Sequence, residues 1–402
     1  MAVRLTWARR RYRLTPWWVK VVVIWLLSRV ISTTLLLVFA GWQEKTIRTS
    51  AHPGLLAFSQ LWDSVWYHYI AVAGYPSTLP VTGDGHVAEN SWAFLPAYPF
   101  LVRVVSAISA IPWQGASVMV SLLFSLAASL MIYRLLHLVL PSETALFSVV
   151  LFCVAPLSPL LQVAYAESMF LFLLALALYL LVKRRYVLLF PVVAVMALTR
   201  PSGLAFACAL GLHLVHRWWI RRREPFPPTE ALRGIALATF SLLMGFAWSI
   251  AAWVVTGSVS AYTDTELVWR ALYIGRGPLV PFTPWIQGAQ FWGGQWGLGA
   301  FAIPILVLVV VAFFAVLFTP AVKRLGPDLR IWSASYALYL LAVFFPQSST
   351  FRLLMPLFPL LGAVARPQSA VYRIAIVALS IGGQFAWLYL CWWVNGVDWS
   401  PP

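Results

Sequence analysis

Apolar residues in this chain come in long unbroken runs, not in the alternation of a half-buried strand or the stripe of a soluble amphipathic helix. A run of about 20 such residues crosses roughly 30 Å of hydrocarbon as a helix. The first run covers 18–41. Others lie near 113–137, 144–162, 167–182, 186–199, 203–216, 234–256, 298–320, 331–346, 351–365 and 372–394, about eleven in all. The stretch 186–216 also reads as one helix broken at Pro201. Two polar segments interrupt the pattern, 42–95 and 257–297. A short apolar helix over 96–109 carries two prolines and Arg103, so it reads as interfacial or re-entrant. No repeat stands out. The expected fold is an all-α integral membrane bundle, one polytopic domain over 1–402. Its first loop, 42–112, carries interfacial helices, and 257–297 forms a second large loop.

Composition agrees with that pattern. The chain is 61% hydrophobic and 10% charged, against about a quarter charged for a soluble domain. Its 22 Trp and 15 Tyr suit the wet edges of a bilayer. The first run has no small-residue cleavage site and reads as a retained span. The net charge of +16 gives no basic folded face, so nucleic acid is not an expected partner. Cys153, Cys208 and Cys391 all sit inside apolar runs, as small buried hydrophobes do.

Charge sorts the ends of the spans. Six basic residues and no acid lie between Arg4 and Lys20, which places the N-terminus in the cytoplasm. With eleven spans, 20 of 28 basic residues fall inside, and Glu44, Asp63, Asp84, Glu89, Glu167, Asp264, Glu266 and Asp398 fall outside. The chain has no Asn-x-Ser/Thr sequon, which favours a bacterial cell membrane over a secretory-pathway one such as the endoplasmic reticulum.

The outer side is where chemistry gathers. In the first loop Trp62, Trp66, Tyr69 and Ala73 recur at helical spacing, so 61–75 reads as a helix lying in the interface. Asp63 begins it, either as a helix cap or as a carboxylate with a task. Glu89, Glu167, Arg200 and Arg352 occupy other outer segments. Three carboxylates and two guanidiniums thus share one membrane face. No His, Asp and Cys set has metal-ligand spacing, and neither a phosphate-binding glycine loop nor a Gly-x-Ser-x-Gly elbow occurs.

Those outer segments carry a resemblance. Trp62-Asp63-Ser64, Tyr67, Ile70-Ala71 and Gly74-Tyr75, followed by Glu89, Ala93-Phe94-Leu95-Pro96 and Pro99, resemble the PIG-V family of mannosyltransferases. Ala164-Tyr165-Ala166-Glu167-Ser168, Leu198-Thr199-Arg200-Pro201-Ser202-Gly203 and Phe351-Arg352-Leu353-Leu354-Met355-Pro356 are similar to three later segments of that family. Leu353 stands where the family shows an aromatic. The resemblance spans roughly 18–365.

It implies a GT-C fold, a polyprenyl-phosphate sugar donor, usually mannose, and Asp63, an acidic residue of the first loop, as the catalytic group. It implies a lipid-anchored or cell-envelope glycan acceptor, such as a mannosylated phosphatidylinositol. Arg suits the donor phosphate because its planar fork matches phosphate oxygens. Glu89 and Glu167, with Tyr67, His68 and Tyr165 beside them, complete the expected substrate-binding set with Arg200 and Arg352. No metal or other cofactor is expected, although the residues leave a divalent cation open. Three other readings compete: a GT-C enzyme for another sugar, a polyprenyl-lipid transporter or flippase, and a scaffold without catalysis. A transporter predicts charges inside the spans and internal repeats; Arg29 is such a charge.

Overall fold

The computed structural model describes residues 14–396 and Pro402. The basic residues at 4–13 and Asp398, used above to orient the chain, lie outside the described residues. The fold is all-helical, as expected; among the described residues the β contacts amount to one bridge between Val81 and Val87.

Fourteen helices frame the molecule among the described residues. They are α1 Trp17–Trp42, α2 Asp63–Ala73, α3 Ala97–Ser109, α4 Trp113–Leu136, α5 Ser142–Val154, α6 Glu167–Val182 and α7 Tyr186–Ala197. Then follow α8 Gly203–Trp219, α9 Pro228–Thr256, α10 Ala261–Ile274, α11 Pro284–Gln295, α12 Ala302–Val316, α13 Pro327–Val343 and α14 Ala370–Trp387. Five stretches are long and apolar enough to cross a bilayer: Trp17–Trp42, Trp113–Leu136, Pro228–Thr256, Gly299–Val316 and Ala370–Trp392. The chain is an integral membrane protein.

Burial follows apolarity in the way a lipid solvent requires. Helix α6 is apolar around its whole circumference and is buried between α4, α7 and the other inner helices. Helix α12 is equally apolar, yet nearly all of it stays on the surface, where hydrocarbon in place of water makes exposure free of cost. Helices α8 and α9 cross closely because glycines meet. A Cβ on Gly203 would stand 2.6 Å from the backbone nitrogen of Gly245, and Ser241 Oγ donates to the Gly203 carbonyl at 2.9 Å.

Two expected spans are interrupted. The run 144–162 stops being α-helical at Val154, and a 3-10 turn follows over Ser158–Gln162. Pro156 and Pro159 cannot donate to an α-helical ladder. Arg29 of α1 takes up the freed carbonyls, donating to Ser158 O at 2.9 Å and Cys153 O at 3.1 Å. That charge, expected of a transporter, is spent on a helix break. The run 351–365 is likewise broken into Thr350–Leu353, a 3-10 stretch Met355–Leu360 and Leu361–Val364.

The two ends of α8 differ. At its C-terminal end Arg217 pairs with Glu230 at 3.0 Å and Glu224 at 2.9 Å, and His213 joins Tyr186 at 2.8 Å to Asp328 at 2.6 Å. These bonds tie α7, α8, α9 and α13 together. Roughly 24 Å away along the helix, the turn 198–202 before α8 brings Arg200 to the opposite end, where the other predicted residues lie.

Candidate active site

Asp63 owes its place to the residue before it. Trp62 adopts φ 61° and ψ −122°, a backbone conformation that side-chain-bearing residues rarely hold and that surrounding contacts must enforce. Its indole nitrogen donates to Trp392 O at 3.0 Å, and the Arg48 guanidinium covers its ring at 5.1 Å. The turn aims Asp63 inward. No side chain caps α2, so Asp63 is not spent as a helix cap; its backbone N–H donates to the Tyr165 hydroxyl at 3.2 Å.

The face of α2 differs from the stripe read in the sequence. Asp63, Ser64, Tyr67, Ile70 and Ala71 are buried, whereas Tyr69 is half exposed. The reason is local satisfaction of polar groups. Ser64 Oγ donates to Ala164 O at 3.0 Å, and Tyr67 packs edge-on against the rings of Phe94, Tyr98 and Tyr165.

Four charges from four segments meet at this point. Arg352 donates to Asp63 Oδ2, and Arg200 donates to Glu167 Oε1. The cross pairs are looser, with Arg200 Nη2 3.6 Å from Asp63 Oδ2 and Arg352 Nε 3.5 Å from Glu167 Oε1. The quartet is neutral, which is the condition for keeping charges away from water. Glu167 is the first residue of α6, where the helix dipole favours an anion. The Tyr165 ring lies under Arg352 at 5.5 Å. Burial pushes the Tyr67 and Tyr165 phenols up, so both stay protonated at neutral pH.

The quartet borders a cavity of about 710 Å³, within the range that holds a small ligand. Asp63, Arg200 and Arg352 line it together with Glu89, Trp66 and Arg48. Glu89 sits at the exposed mouth, where partial burial raises its carboxyl pKa and Arg48 offsets part of that rise. Glu167, Tyr67 and Tyr165 stand behind the lining. His68 is not part of it: its ring is exposed and stacked on Trp113 at 5.2 Å. Among the described residues no three His, Cys, Asp or Glu side chains converge as metal ligands.

Sequence reasoning passed over the far wall. Helix α10 turns Tyr262, Glu266, Trp269, Arg270 and Tyr273 to the cavity. Glu266 shares a hydrogen bond with Tyr262, and burial pushes its carboxyl up to about 7 against the pull of Arg200 and Arg352. Its signal was present: positions 262, 266, 269 and 273 recur at helical spacing and mix aromatic with charged residues.

A family model described as Mannosyltransferase (PIG-V) matches residues 19–253. No curated protein matches the chain. Among solved structures, the archaeal oligosaccharyltransferase AglB from Archaeoglobus fulgidus, in complex with an inhibitory peptide and a dolichol-phosphate, is similar at 12% identity. It has a TM-score of 0.45 over 91% of this chain and 55% of that one. The apo form of the Archaeoglobus fulgidus oligosaccharyltransferase gives 12% identity and a TM-score of 0.47 over 93% and 56%. The chain therefore spans little more than half the length of either structure.

Proposed function

The chain belongs to the mannosyltransferase (PIG-V) family of glycosyltransferases, and from that premise we propose that it moves mannose from a polyprenyl-phosphate donor to a hydroxyl of a lipid-anchored or cell-envelope glycan, with inversion. One observation carries this reading. Asp63 lines the cavity with Oδ2 bound by Arg352, while its Oδ1 makes no hydrogen bond among the described residues. A carboxylate fixed through one oxygen and free at the other is a ready acceptor for a proton.

The proposed step is a single displacement. The acceptor oxygen attacks C1 of the sugar, its proton passes to Asp63 Oδ1, and the bond from C1 to the phosphate oxygen breaks. The donor is a phosphodiester monoanion and the leaving group a phosphate monoester dianion, so one negative charge builds up as one proton is released. Arg200 and Arg352 border the same cavity, and each guanidinium has five N–H donors, more than its carboxylate uses. Their remaining donors would hold the phosphate as its charge grows. Glu89 at the mouth would receive the acceptor, and Glu167 would hold Arg200 in place from behind.

Membranes containing the protein, given radiolabelled polyprenyl-phosphate-mannose and extracted lipid acceptors, should form a labelled product that control membranes lack. Labelling from a polyprenyl-phosphate-arabinose donor alone would leave the site standing and overturn the sugar.

The orientation is part of the proposal, with the quartet on the non-cytoplasmic face of a bacterial cell membrane. It rests on the basic residues at the other end of the bundle. Ser77 is exposed beside α2, and Cys153 and Cys391 are buried. A Ser77→Cys protein should react with a membrane-impermeant thiol reagent in intact cells, above the background of the parent. Reaction only after lysis would invert the orientation.

A further inference from the structure

We infer that Glu266 is a second acid–base residue of this cavity, the group that takes the acceptor proton onward from Asp63. The inference rests on the reading of the cavity as the transfer site.

Helix α10 is a built wall and not a loose loop. Its back face carries the buried Ala261, Thr265 and Val268. Asn90 Nδ2 donates to Thr265 Oγ1 at 2.9 Å, and Ala261 packs with Trp92 and Ala252. One turn beyond Glu266, Arg270 Nη2 donates to Gly277 O at 2.7 Å and Pro278 O at 3.1 Å, which fixes the exit of the helix. A helix held on one side presents its other side at a defined height, and that side lines the same cavity as Asp63.

The carboxyls of this region are not equivalent. Asp63 and Glu167 are both in the quartet, each beside two guanidiniums. Glu266 stands in no ion pair among the described residues. The groups facing it are Tyr262 on its own helix, Tyr339 on α13, Arg200 before α8, Arg352 in Thr350–Leu353 and Asp63 at the start of α2. Burial and Asp63 favour its neutral form; the two guanidiniums and the Tyr262 hydrogen bond favour the anion, and the balance lies at about 7. At that balance Glu266 can gain and lose a proton at neutral pH.

Transfer produces one proton per turnover. Asp63 must shed that proton before the next cycle, inside a wall of aromatic side chains. Glu266 is the better resting place for it, because no guanidinium stands at ion-pair distance. From there the proton leaves to the outer water. Only the ionised form can receive it, so turnover should rise with pH through about 7.

The test is the pH dependence of kcat for mannosyl transfer from polyprenyl-phosphate-mannose by the purified protein, for the parent, Glu266→Gln and Glu266→Asp. Glu266→Gln should lower kcat by about 10–100-fold and remove the limb near 7; the fold-change is set toward the low end of general acid–base effects. Glu266→Asp should keep the limb at a shifted midpoint with a smaller loss. A carboxyl that merely steadies Tyr262 would be replaced by Gln with the profile intact. An unchanged limb in either variant overturns the inference. If Glu266→Gln fails to fold, the Asp variant decides alone. Loss of transfer in Asp63→Asn together with a parental profile in Glu266→Gln would remove this role and spare the transfer site. Full transfer by Asp63→Asn would remove both.

Discussion

Asp63→Asn should lower mannosyl transfer by about 10²–10⁴, the range measured when a general base is lost, while donor binding changes by no more than a few-fold. Asn keeps the shape of the side chain and can still accept from Arg352 through its amide oxygen. What it loses is a negative charge and the ability to bind a proton. Removing one partner of a fully buried ion pair costs about 3–5 kcal/mol. The cost here should be smaller, because the Asp63 side chain is 11% exposed and Glu167 remains 3.5 Å from Arg352. The fold should therefore survive, and the loss of turnover should far exceed any loss of folded protein. The measurement pairs transfer with donor binding on the purified variant. Near-parental transfer would rule out Asp63 as the base and bring Glu89 or Glu266 forward. Loss of donor binding along with transfer would mean that Asp63 positions the phosphate-binding arginines and does not act on the acceptor.

Much of the fold was legible because a lipid solvent leaves few choices for a long apolar run. The gathering of Asp63, Glu167, Arg200 and Arg352 was legible for a related reason. Counting spans puts their four segments on one membrane face, although Asp84 and Asp264 fall on that face too and stand apart from the quartet. Which charge meets which was not legible. Asp63 and Arg352 are 289 positions apart, and no local pattern links them. The break after Val154 had a local signal in Pro156 and Pro159; what no local pattern shows is that Arg29, over a hundred positions upstream, receives the carbonyls the break leaves free.

The face of α2 shows where periodicity misleads. Trp62, Trp66, Tyr69 and Ala73 form a convincing apolar stripe, but the buried face includes a serine and an aspartate. Their partners, Ala164 O and Arg352, come from segments far away in sequence and reverse the preference. Helix α10 was missed because its acid was counted only by side of the membrane. An acid in a loop is usually solvated; Glu266 is only partly exposed and lines the cavity with Tyr262, Arg200 and Tyr339.

Arg352 should have two separable effects, and a double-mutant cycle with Asp63 can separate them. As the charge partner of Asp63 it should set the position of the proposed base. As a donor lining the cavity it should also contact the donor phosphate. Losing a hydrogen bond to a charged group costs about 1.5–3 kcal/mol, so Arg352→Gln should weaken donor binding by roughly ten- to a hundredfold. That loss should appear equally in the parent and in Asp63→Asn, because the phosphate contact does not pass through Asp63. The turnover effect should behave otherwise. Once Asp63 is Asn there is no base left to position, so adding Arg352→Gln should reduce kcat little further. The coupling in the kcat cycle should exceed about 0.5 kcal/mol, the limit within which independent sites add. Arg352→Lys should restore part of the donor binding but less of the turnover, since a point charge cannot hold Asp63 and phosphate together as a planar fork does. Donor binding unchanged in both backgrounds would end the phosphate role. Additive kcat effects would mean that the Asp63–Arg352 pair is structural, with the position of the base set instead by the strained turn at Trp62.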